Sequence, residues 1–156
     1  MTQGLDNGLG NITSLNLYLS SAGASGQYGE LHAFVACAMF WPAAKRTDSA
    51  YTWYKVYACC NGHTQKTIDE CSASAPKEII QPIRACMKRP EAASLVAAMH
   101  AIGESVRDFP TVLVEGLPDP RVPEPDTHGD DPKALIKEVC RRASAAGADD
   151  LPAACS

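Results

Sequence analysis

The chain has seven cysteines but no C-x-x-C. Disulfide reduction needs one thiolate to attack a sulfur and a second thiol close by to resolve the mixed disulfide, so the spacing most often used for that reaction is missing. There is also no Gly-x-Ser-x-Gly elbow and no phosphate-cradling glycine loop, and His32, His63, His100 and His128 stand isolated along the chain. Hydrolase and nucleotide chemistry are therefore left without a motif. Long apolar runs are lacking: the longest, around Ala33 to Phe40, falls well short of the ~20 residues that span a bilayer. Positive charge is scarce too. With a net charge of -4 and scattered basic residues, nucleic acid and anionic lipid have no electrostatic hold. The densest basic cluster, Lys137 to Arg142, falls at the end of a predicted helix, where it offsets the C-terminal dipole.

What is present is ordinary for a folded protein. Across 156 residues, 46% are hydrophobic and 21% charged, which suits one domain with a real core and excludes wholesale disorder. Seven cysteines in so short a chain point to an oxidising lumenal or secretory compartment. The start, Met1 to Asp6, lacks the basic-then-apolar organisation of a secretion signal, so the expectation is a presequence removed or left out. Asn11-Ile12-Thr13 is a glycosylation sequon consistent with that route.

Residues 1–14, rich in Gly and Asn, read as a flexible arm ahead of a single domain over 15–156. Leu15, Leu17 and Leu19 alternate with polar neighbours at the period of a strand, and a glycine-rich turn from Ser20 to Gly29 follows. Leu31 to Trp41, almost wholly apolar and closed by Pro42, predicts a buried central strand. The aromatic and β-branched run Tyr51 to Tyr57 predicts another. From about Thr67 to Arg107 the pattern is helical, punctuated by Pro76, Pro82 and Pro90, with Ile79, Ile83, Cys86 and Met87 on one apolar face and Leu95, Val96, Met99 and Ile102 on the next. Phe109 to Val114 predicts a strand, Leu117 to Pro132 an exposed proline-rich loop, and Lys133 to Ala145 a closing helix with Leu135, Ile136 and Val139 buried. The tail from Gly147 carries Cys155, which suggests tethering.

This order of elements resembles the gamma-interferon-inducible lysosomal thiol reductase family. The resemblance is carried by Leu17-Tyr18 with its turn, by Val35 to Pro42, by Cys59-Cys60-Asn61-Gly62 with Asp69-Glu70-Cys71, by Cys86-Met87, by Phe109-Pro110-Thr111 with Val112, and by Cys140 with Cys155. It implies an α/β, thioredoxin-like central sheet with a helical insertion over about 67–107 and disulfide staples. It departs from the family at the turn after Tyr18, where Gly23 and Gly26 stand in the redox cysteine positions. Asn61 replaces the family's histidine. The resemblance makes Phe109, Pro110 and Thr111 a cis-proline loop, a geometry the fold requires whether or not chemistry survives. It also makes Cys140 and Cys155 a closing pair, a loop worth about 3 kcal/mol. Cys71 is expected to pair with Cys59 or Cys60, leaving the other to reach Cys86, and Cys37 is expected as a buried free thiol.

The function expected from these features is a non-catalytic binding or structural module, an accessory subunit whose partners are other protein subunits. No cofactor and no metal are expected. Cys59, Cys60, His63 and Cys71 offer zinc-type ligands but lack C-x-x-C spacing, and Asp126, His128, Asp130 and Asp131 read as a solvated acidic loop. Phe34, Met39, Phe40, Trp41, Trp53 and Tyr54 divide between core and a possible interface. The alternatives are a thiol-disulfide oxidoreductase using a non-standard cysteine such as Cys37 or Cys60, and a peptide-holding chaperone using a groove at Pro110.

Overall fold

The structure, a computed structural model, describes residues 8, 16–22, 26–44, 51–62, 66–104, 111–112, 127–128 and 132–156. The elements are α1 (Gln27–Phe40), a 3-10 turn (Pro42–Ala44), α2 (Thr52–Cys60), α3 (Ile68–Ser72), α4 (Lys77–Met87), α5 (Ala92–Glu104), β1 (Thr111–Val112), β2 (Thr127–His128), α6 (Pro132–Ala145) and a second 3-10 turn (Ala153–Cys155). The chain divides into two compact units, Asn16–Ser105 and Val106–Ser156 with Met1–Leu15.

The thioredoxin-like central sheet expected from the sequence is not there. Among the described residues the only β pairing is the antiparallel two-residue ladder of Thr111 with His128 and Val112 with Thr127. The run read as a central strand, Leu31 to Trp41, is almost entirely α1, and the aromatic run Tyr51 to Tyr57 lies mostly in α2. Asn16 to Leu19 belongs to no element. The physical reasons are specific. An apolar run has no period to read when every face is buried, and α1 is such a helix: Leu31, Phe34, Val35, Ala36, Cys37 and Ala38 are all buried, with α2, α4 and α5 packed around it. Its alanines and Leu31 favour helix. In α2 the side chains that matter are Trp53, Val56 and Cys60, which recur at three and four residues and make one buried face despite their β propensity.

The stretch read as helical holds α3, α4 and α5, as part of a helical unit rather than an insertion into a sheet. Thr67 starts α3 with a capping box: its hydroxyl accepts from the Glu70 N–H while the Glu70 carboxylate accepts from the Thr67 N–H. Pro76 caps the start of α4, but Pro82 lies inside that helix. Burial of Ile80, Ile83 and Cys86 offsets the hydrogen bond that Pro82 cannot donate.

The segment 16–21 crosses this unit as a strap. The Leu17 N–H points at the Met39 sulfur, 3.3 Å away, the Tyr18 ring lies 6.3 Å from Phe40, and Ser21 donates to the Glu104 carboxylate from both its N–H and its hydroxyl. The crossing needs Gly103. A methyl group on it would stand 2.6 Å from the Leu19 carbonyl oxygen.

In the second unit, α6 buries Val139, Cys140 and Arg142. Glu138 accepts from Arg141 and from Arg142 one turn on, at 2.6–2.8 Å. These bonds hold its carboxyl well below the usual range, at about 2.

Candidate functional site

Three disulfides tie the elements together, one across 49 residues of sequence and two across 12 and 15. Cys37 of α1 is bonded to Cys86 of α4, Cys59 of α2 to Cys71 of α3, and Cys140 of α6 to Cys155 of the last 3-10 turn. Cys37, expected as the free thiol, is therefore consumed. The free cysteine is Cys60, which does not reach Cys86. The helical geometry explains the exchange. Once Leu31 to Trp41 is helix rather than strand, Cys37 sits on the side of α1 that meets α4, and adjacent Cys59 and Cys60 point about 100° apart on α2. Cys59 thereby faces α3, and Cys60 turns into the core.

Cys60 lies against a cavity of about 30 Å³, room for about one water, with Tyr28, Glu30, Leu31, Lys66 and Ile68 around it. Burial pushes its thiol up, and the charges of Glu70 and Glu30 push the same way. A nucleophilic cysteine needs the reverse, a cationic partner and access to solvent. As placed, Cys60 is a small apolar packing group beside a disulfide.

Among the described residues, the other sequence-predicted positions form no further cluster. Gly26, with φ +59°, precedes α1 and uses glycine's freedom to enter the helix. Gly23, Phe109, Pro110 and His63 lie outside the described residues, as do the sequon and the acids around Asp130. The backbone of Thr111 belongs to β1. The described residues contain no group of three or more His, Cys, Asp or Glu poised for a metal.

One cluster escaped sequence reasoning. His32 of α1 and His100 of α5 meet with Nδ1 and Nε2 2.8 Å apart and the rings edge to face. His32 is buried, and that burial, with the nearby His100, holds its pKa below the ordinary histidine value. The signal was a polar residue inside an apolar run, because a buried imidazole requires a hydrogen-bonding partner. The separation of 68 residues hides which partner it finds.

In comparison with known proteins, the chain matches no family model, no curated protein and no solved structure.

Proposed function

We propose that this protein is a disulfide-stapled helical module that binds other protein subunits in an oxidising lumenal compartment, and does not turn over a substrate. The observation carrying this reading is how the cysteines are spent. Six tie helix to helix or helix to tail, and the seventh is buried with its thiolate disfavoured. That chemistry holds a surface in shape. Three disulfides are compatible with an oxidising compartment. No helix among the described residues is long and apolar enough to cross a membrane.

The strap gives such a module a surface. It brings Tyr18, exposed, over Phe40, and seats Leu19 on Gly103, whose chain neighbour Ile102 is also exposed. Large apolar side chains on a preorganised surface bind at low entropic cost. Isolation of the natively expressed protein under mild conditions tests the reading. A fixed ratio of this chain to a second polypeptide is expected, with association weakened on the order of tenfold by Tyr18→Ser combined with Ile102→Ser. Elution of the chain alone overturns it. So does insulin reduction that is lost on Cys60→Ser, which would establish the oxidoreductase instead.

A further inference from the structure

The histidine contact lies within one compact unit and stands apart from the proposed subunit role. We propose that His32 and His100 form an acid-sensitive latch between α1 and α5, closed through one shared proton and opened when both rings become cationic. The facing nitrogens, 2.8 Å apart, fix the logic. With both rings neutral, one facing nitrogen carries a hydrogen and the other accepts it. Adding a first proton preserves the bond, since it fills an outward-facing nitrogen and leaves an imidazolium donating to an imidazole. A second proton gives both facing nitrogens a hydrogen and sets two cations in contact, so the rings must part.

Glu104 lies one turn beyond His100 on α5, and its bonds to Ser21 hold its carboxyl below the usual range, so it stays anionic. The strap brings no acid or base to the pair, only the Ser21 hydroxyl bound to Glu104. Among the described residues, the influences on His32 are its own burial and His100. Because Gly103 and Glu104 hold the strap, opening the α1–α5 seam loosens segment 16–21 as well.

The sign follows from linkage. A histidine whose folded pKa lies below its unfolded value contributes stability that is complete above about 6.5 and is lost as pH falls from there toward the folded value. Urea unfolding of the oxidised full chain, followed by tryptophan fluorescence, tests this. Between about pH 7 and pH 5 the unfolding equilibrium constant of the wild type is expected to rise on the order of tenfold, and that of His32→Gln to stay nearly level. A purely packing role for His32 would lower stability equally at both pH values. A level wild type, or a His32→Gln chain that keeps the wild-type slope, overturns the proposal. Proton NMR of the imidazole C–H signals supplies a readout that needs no variant: two separated steps for the pair, the lower well under 6.5, are expected, and two independent titrations near 6.5 overturn it.

Discussion

The two compact units hold themselves together in different ways. In Asn16–Ser105 one helix, α1, is buried on nearly every side and three others pack on it, so most of the stabilisation comes from apolar area removed from water. Among the described residues of the second unit, the buried ones are Val139, Cys140 and Arg142, all on α6. It relies on a covalent closure and on charges within a single helix. The lesson is that a disulfide can be buried among packed helices, as Cys37–Cys86 is, or tie a tail to a helix whose charges pair along its own length, as Cys140–Cys155 does.

The contrast is broken hardest by emptying the core. Phe34→Ala, at a site fully shielded from solvent, should cost the first unit about 4 kcal/mol, while Leu151→Ala, at an exposed site of the other, should cost under about 0.5 kcal/mol. Trp41 and Trp53, the chain's two tryptophans, both lie in the first unit, so fluorescence-monitored urea melts read that unit and hydrogen exchange at Val139 reads the other. Equal losses would erase the distinction. Replacing Cys140 and Cys155 together by Ala should remove about 3 kcal/mol from the second unit, as expected for a pair 15 residues apart. Hydrogen exchange at Val139 should then accelerate while tryptophan fluorescence stays unchanged.

A smaller effect tests the strap. Gly103→Ala places a methyl against the Leu19 carbonyl and should cost about 2 kcal/mol through overpacking, seen as a lower urea midpoint. An unchanged midpoint would mean that the strap lifts away freely. The smallest concerns Glu138. A carboxylate with a depressed pKa contributes stability above its unfolded value, near 4.3, and loses it as pH falls toward about 2. Because Arg141 is half exposed, solvent screening keeps the two ion pairs weak. Glu138→Gln should flatten the acid limb of α6 hydrogen exchange slightly, and a limb as steep as the wild type's would assign it to other acids.

How much of this was legible depends on where one looks. Lys133 to Ala145 and the helices between Thr67 and Glu104 announce themselves, because their apolar residues recur on one face and their boundaries carry Pro76, Pro90 and the Thr67 capping box. Leu31 to Phe40 conceals its type because burial on all sides leaves it without a polar face, and the closing Pro42 ends a helix as readily as a strand. Trp53, Val56 and Cys60 did carry a helical period, outweighed in the reading by aromatic and β-branched composition. The cysteine partners were beyond reach for a different reason: pairing depends on which helix faces which, and one wrong element type moves every sulfur. The histidine contact required both helices to be placed first.

The Cys37–Cys86 bridge encloses the Cys59–Cys71 bridge completely, one covalent ring inside another. A protease that severs the backbone once anywhere between residues 37 and 86 therefore releases nothing: the two fragments travel as one species until a reductant arrives. The same holds between residues 140 and 155. Residues 1 to 36 and 87 to 139 lie outside any ring, so a single nick in either stretch divides the protein in two on a non-reducing gel.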